Sequence, residues 1–416
     1  MHPPERARRR LTSVLIGHAF MRIGGGAGGV LVGLYLSDLG NGGANINTAL
    51  VGALGAVSFG AELVGAIPMG MVADAVAPRI LMTAGAVLGA AAIYIMGLTN
   101  VIPLFFLSRA LEGFGAATSV PSTLAYLTDV TESSPRLRAR VMSYFELTLL
   151  AGIALGSPLA GKLWQLFRQQ SFTGAASLYL ISAVLLGFGA IGLRKHSRVN
   201  GIEGLRRALK ENSVRRLAPA WVCMNAIVGL WLGPTFVFLL TRRDFGSQYL
   251  AGLFADDPNR VGLVLLAYSI VFATGITAWS FVLQRISRKQ VLYVSLTAML
   301  IVCGGLYIFN HSQSWTAATR GALLALIAVS VMVESGFTPA ALALLADVVG
   351  GKAGRGSAMG IYSALLGIGA LSGSVIAGTL GARFSVDGLI YGTFGLAILA
   401  IITIQRLPSR MEMTSG

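Results

Sequence analysis

Long apolar runs alternate with short polar breaks along the whole chain. Apolar windows cover residues 12–38, 48–73, 79–98, 103–128, 141–162, 172–193, 218–241, 261–283, 290–309, 321–346, 357–380 and 386–405. Each is about 20 residues or more, the length an α-helix needs to cross a hydrocarbon layer of ~30 Å. In that layer the backbone of a lone segment can satisfy itself only as a helix. The pattern predicts an all-α membrane protein with twelve transmembrane helices.

The basic residues orient these spans. With the N-terminus placed in the cytoplasm, 23 of 32 Lys and Arg fall on the cytoplasmic side, 7 on the outer side, and Arg22 and Arg109 inside spans. Cytoplasmic loops concentrate Lys and Arg, so both termini are expected inside, with the chain in a bacterial inner (plasma) membrane. The same distribution directs the net charge of +15 toward lipid headgroups and away from nucleic acid. Arg6, Arg8, Arg9 and Arg10 precede an apolar run too long for a signal peptide and lacking a small-residue cleavage site, which predicts an uncleaved first span.

The longest cytoplasmic connection, residues 194–217, divides the chain into an N-terminal six-helix bundle over 1–193 and a C-terminal one over 218–416. Gly201 to Leu217 has a basic amphipathic pattern, expected as an interfacial helix within this linker. An internal repeat supports two pseudo-symmetric halves. Pro121-Ser-Thr-Leu-Ala-Tyr-Leu-Thr-Asp129 returns as Pro339-Ala-Ala-Leu-Ala-Leu-Leu-Ala-Asp347, and Gly152 to Gly161 returns as Gly369 to Gly378, at offsets of 218 and 217. Parallel halves of this kind place a substrate cavity between them.

Composition narrows the function. Only 12% of the residues are charged, about half the share of a soluble domain. The 53 glycines suit spans that pack closely. Cys223 and Cys303 lie in apolar windows without disulfide or metal spacing, and Asp256-Asp257 reads as a solvated loop pair. Gly24 to Gly29 formally satisfies a dinucleotide-binding pattern, but no strand precedes it and it sits inside the first span. No phosphate-binding loop or nucleophile constellation is present, so the chain is expected to be no enzyme and to hold no cofactor or metal.

Ionisable groups inside spans are therefore the candidate chemistry, because a charge there costs at least ~2.5 kcal/mol on insertion scales. Arg109 and Glu112 are three apart on one helix face, a pair for gating or proton coupling. The residues at the repeat offset, Ile327 and Ser330, are uncharged. Glu62 is mid-span, either a proton carrier or a partner of Arg22. His18 and Arg22, four apart, either attract an anionic substrate group or form a structural contact. Glu146 is near a span end within reach of Arg140, and Glu334 is the clear mid-span acid of the second half, close to Gly336 and Pro339. Asp38, Asp129 and Asp347 lie at span ends as interfacial groups. Tyr35, Tyr94, Trp221, Trp231 and Trp279 either line a pocket or anchor at the interface.

Three stretches resemble the major facilitator superfamily, and the likeness covers essentially the whole chain. Gly70-Met-Val-Ala-Asp74-Ala-Val-Ala-Pro-Arg79 is similar to the family's Gly-x-Leu-Ala-Asp-Arg-x-Gly-Arg-Arg loop, with Ala75 and Ala77 departing from it. The second copy keeps Arg285 and Arg288 but has Gln284 where aspartate is frequent. The resemblance implies a cytoplasmic latch at Gly70, Asp74, Arg79, Arg285 and Arg288. Arg109, Gly113, Gly115 and Ala116 resemble the span-four signature of proton-coupled members, with Glu112 where glutamine is common. Gly152, Gly156, Pro158 and Gly161 resemble the span-five motif of the family's antiporters.

The resemblance implies a secondary transporter working by alternating access. The expectation is proton-coupled efflux of a small molecule by a monomer, with protons and the lipid bilayer as partners. Proton coupling or gating falls to Arg109, Glu112, Glu62 and Glu146, and the substrate cavity to His18, Arg22, Glu334 and Tyr35. A facilitator or importer, a lipid or lysolipid transporter, and a non-transporting receptor or assembly factor stay open as alternatives.

Overall fold

The computed structural model describes residues 5–131, 134–190, 212–243, 246–282, 285–349 and 355–405, and these form helices and short connections without a strand. The helices are α1 (Glu5–Asn41), α2 (Thr48–Ala75), α3 (Pro78–Leu98), α4 (Ile102–Val130), α5 (Pro135–Phe167), α6 (Ser171–Gly189), α7 (Asn212–Trp231) and α8 (Pro234–Thr241). They continue as α9 (Asn259–Val282), α10 (Arg288–Asn310), α11 (Ala317–Glu334), α12 (Phe337–Val349), α13 (Arg355–Phe384) and α14 (Val386–Gln405). The expected linker helix over 201–217 falls mostly outside the described residues.

Twelve crossings account for these fourteen helices. Ten helical stretches among the described residues are long and apolar enough to cross a membrane, and one of them, Arg140–Gly189, holds both α5 and α6. Two others each join a broken pair, α7 with α8 in Arg215–Thr241 and α11 with α12 in Ala317–Leu344. Helix α4 completes the set. Ser, Thr and charged side chains fill nine of its 29 positions, so apolarity alone passes over it.

Two pseudo-symmetric helix sets repeat the same pairings. In the first, α1 packs on α5 and α6, α3 on α4 and α6, and α2 on α4. In the second, α7 packs on α13 and α14, and α10 on α11 and α14. By contacts, the chain forms two compact units: residues 1–198 with 232–244 and 252–269, and residues 199–231 with 245–251 and 270–416. Helix α8 and the first turns of α9 thus cluster with α1 to α6.

Small residues let backbones meet. A side chain at Gly113 would collide with the Ser58 carbonyl of α2, and one at Gly26 of α1 with the Gly152 carbonyl of α5. Dispersion and weak backbone contacts replace hydrophobic driving force where the solvent is itself apolar. The side chains turned outward are apolar, as lipid requires: Val64, Val184, Phe188, Phe281 and Val329 are all more than half exposed. One apolar core of the first unit joins Val14 of α1, Met82 of α3, Leu127 of α4, Phe145 of α5 and Leu186 of α6.

The second unit holds a buried polar clasp. Asn310 donates to Asp387 Oδ1 at 2.8 Å, and His311 Nε2 lies 2.9 Å from Asp387 Oδ2. Gln248 donates to Asp387 Oδ2 at 3.1 Å and accepts from the Val386 amide at 3.0 Å, fastening the segment before α9 to the start of α14. Each partner satisfies another's hydrogen-bonding groups, as burial demands.

Gly113→Val is expected to cost about 3 kcal/mol or more in thermal unfolding of the purified protein, since backbone cannot yield to the added methyls. Gly304→Val, where an added side chain meets nothing within 4 Å, is expected to change stability by less than ~0.5 kcal/mol. Equal effects at both positions would contradict this packing account.

Candidate functional site

The first unit gathers charge from three helices. Arg109 and Glu112 of α4 form an ion pair with side chains only 6% and 11% exposed. Their spacing of three places both on one helix face, so α4 itself supplies the counter-charge. Arg109 Nε has no hydrogen-bond partner. Arg22 of α1 donates from Nε to His18 Nε2 at 3.3 Å. His18 is fully buried and stacks on Phe145 of α5 at 4.5 Å between ring centroids. Accepting through Nε2 leaves the imidazole proton on Nδ1, which is buried without a partner. Glu62 of α2, half-buried, lies within electrostatic reach of Arg22 and Glu112.

Arg22, Glu62, Arg109 and Glu112 carry no net charge when all are ionised. A proton on either carboxyl leaves one uncompensated cation in a medium that penalises it strongly.

The glycines of α5 hold this cluster to α1. A side chain at Gly152 would approach the Arg22 carbonyl to 2.6 Å, and one at Gly156 the Ile23 carbonyl to 2.6 Å. Pro158 lies inside α5 and its Cα would be 2.7 Å from a side chain at Gly262, while Gly161 abuts Asn259. In the second unit Gly369 and Gly373 of α13 meet Val222 and Ala226 of α7 in the same way. There the place of Arg22 is taken by Val222.

The other sequence-selected residues have surroundings of their own within their respective units. Tyr35 lies 13 residues beyond Arg22 on α1, about 20 Å along the axis. Its hydroxyl donates to the Thr99 carbonyl at 2.7 Å and accepts from Gln169 at 3.1 Å, and its ring meets Phe105 and Phe172 edge-on. Glu334 is 6% exposed and ends α11 in the second unit, where the span breaks at Ser335 and Gly336. Trp279 of α9 donates to the freed carbonyl of Val333 at 3.0 Å, and Ser295 to the same oxygen at 3.2 Å. Arg288 donates to the Ala343 carbonyl of α12 at 3.2 Å, while Arg79 and Arg285 are exposed. The side chains of Asp74 and Glu146, and the environment of Gly70, lie outside the described residues.

Sequence reading passed over one member. Tyr179 of α6 is buried, with Glu112, Arg109, Arg22 and Glu62 all within electrostatic reach. The signal for it was the run of glycines on α1, whose partner was hidden until α6 came alongside.

Repeated sets of membrane-spanning helices with charge embedded in one of them are the architecture of secondary transporters. The sequence model of the Major Facilitator Superfamily matches residues 14–256 and 245–412, and the chain belongs to that family. It is similar to Multidrug resistance protein 1 of Bacillus subtilis (strain 168), with 23% identity over 349 residues, 81% of this chain and 82% of the relative. Similarity to the inner membrane transport protein YajR of Escherichia coli (strain K12) is 24% over 328 residues, 78% of this chain and 67% of that one. In fold it matches a bacterial homolog of the human lysosomal transporter Spinster, inward-facing and unoccupied, with a TM-score of 0.70, 12% identity and coverage of 97% and 96%. The nucleoside transporter NupG matches with a TM-score of 0.69, 14% identity and coverage of 98% and 99%.

Glu112→Gln is expected to cost about 3–5 kcal/mol in thermal unfolding by leaving the Arg109 guanidinium buried without its counter-charge. The double variant Arg109→Gln with Glu112→Gln should recover most of that loss. Additive losses in the double variant would show that the two groups are not paired.

Proposed function

We propose that the protein is a proton-coupled exporter of small, amphipathic molecules that works by alternating access as a monomer. The observation that carries this reading is the neutral set Arg22, Glu62, Arg109 and Glu112, buried or half-buried inside membrane spans, where ionisable groups are costly and mark coupling sites. A proton taken up by Glu62 or Glu112 from the outer side releases a guanidinium from its partner. The released cation favours the other pairing of helices, and the halves rock about the midplane. Loss of the proton to the cytoplasm restores neutrality, so the proton gradient drives substrate outward. The printed name of the Bacillus relative, a multidrug resistance protein, supports efflux. The basic-residue distribution supports cytoplasmic termini in a bacterial inner membrane. Asp74 near the end of α2 and Arg79 at the start of α3 latch the cytoplasmic side, and residues 194–217 link the two six-helix halves.

The test is uptake of a panel of amphipathic dyes, ethidium among them, into everted membrane vesicles with an imposed pH gradient. The wild type is expected to accumulate at least one dye when the interior is acid. Glu62→Gln, Glu112→Gln and Arg109→Ala should each retain less than ~10% of that uphill rate, in line with loss of a positioned proton-transfer group. Variants that accumulate dye like the wild type would refute proton coupling at this cluster.

A further inference from the structure

Tyr179 is a phenol where packing alone asks for a phenyl ring. Its ring lies between α1 and α3: a side chain at Gly24 would come within 2.9 Å of Cδ2, and one at Gly89 would strike Cε1. Two helices therefore give up their side chains to seat this one aromatic ring. The hydroxyl itself points along α1, 3.1 Å from where a Gly25 side chain would begin. Arg22 lies three residues before Gly25 on α1. Gly28 lies three after it, and a side chain there would stand 3.7 Å from Glu112 Oε1. Residues three apart are neighbours on one helix face. The hydroxyl is thus flanked along α1 by Arg22 on one side and the Glu112 carboxyl on the other. On α3 the order is the same, with Gly89 against Tyr179 and Ile93, one turn later, against Gly28.

We infer that Tyr179 is a positioning residue for coupling, its hydroxyl serving as the donor to the Glu112 carboxylate. The inference rests on the proton-coupling reading and adds a group to it. A neutral phenol is both donor and acceptor. The charged and titratable groups within electrostatic reach of Tyr179 are Arg22 of α1, Glu62 of α2, and Arg109 and Glu112 of α4. Helix α3 contributes Gly89 and Ile93, neither of which titrates.

The experiment is an infrared titration of protonated carboxyl groups in the purified full-length protein between about pH 3 and pH 9, a range that covers carboxyl titration in proteins. The bands of Glu62 and Glu112 are assigned by their loss in Glu62→Gln and Glu112→Gln. Tyr179→Phe removes one oxygen and keeps the ring. It is expected to keep the wild-type melting temperature and to shift the assigned midpoint upward by about half a pH unit or more, because the carboxylate loses a donor. Gly25→Ala, which crowds the hydroxyl without removing it, should shift the midpoint in the same direction by less, and provides the reading if Tyr179→Phe fails to fold. Wild-type midpoints in the folded variants would overturn the assignment of Tyr179 and leave the coupling reading standing. If neither glutamine variant removes a titrating band, the coupling reading and this inference both fall.

Discussion

Charge neutrality inside a bundle solvated by hydrocarbon is the constraint on which the first unit depends. Two guanidiniums are embedded there, and neither water nor lipid tails can compensate them. Compensation has to come from side chains, which fixes where α1, α2 and α4 stand. Glu112 answers Arg109 from the same helix. Arg22 leans on His18 and on the charge of Glu62. The glycines are the complement to this requirement. Gly113 against Ser58, and Gly152 against Arg22, bring α4 to α2 and α5 to α1 at backbone contact around these charges.

The second unit shows the same frame without the charges. Its pairings of α7 with α13 and of α10 with α11 repeat those of the first unit. Gly369 and Gly373 repeat the close approach made by Gly152 and Gly156. Yet Ile327 and Ser330, both buried, stand where Arg109 and Glu112 stand in the first copy. Charge is therefore an addition to one copy and not a need of the scaffold. What the second unit buries instead is Glu334 at a break in its span, with Trp279 and Ser295 holding the carbonyls that the break releases. Irregular backbone at membrane depth is tolerated only where protein groups satisfy it in this way.

The spans were legible because their signal is local: about 20 apolar residues in a row have few other uses. Helix α4 stood among them as the apolar window 103–128, the most polar of the set, with Arg109 inside it. The pairing of Arg109 with Glu112 was legible for the same reason, since both lie on one helix. Tyr179 was not, because a tyrosine in an apolar run looks like ordinary core, and its seat is built from glycines on two other helices. Gln248, Asn310, His311 and Asp387 were equally hidden. They sit at the ends of different elements, where polar residues are expected, and only folding shows that they share hydrogen bonds. The sequence reading offered Tyr35 for the substrate cavity, and the structure shows what its hydroxyl and ring engage near Thr99 and Gln169.

The central claim is that movement of a small molecule is tied to movement of a proton through the Arg22, Glu62, Arg109 and Glu112 set. Its most direct measurement is reverse coupling: proteoliposomes carrying a trapped pH indicator, no initial pH difference, and an imposed gradient of a dye the protein transports. The account predicts that dye flowing down its gradient drives protons the opposite way in the wild type, and that Glu62→Gln moves dye without moving protons. Dye flux through the wild type with no change in internal pH would contradict it.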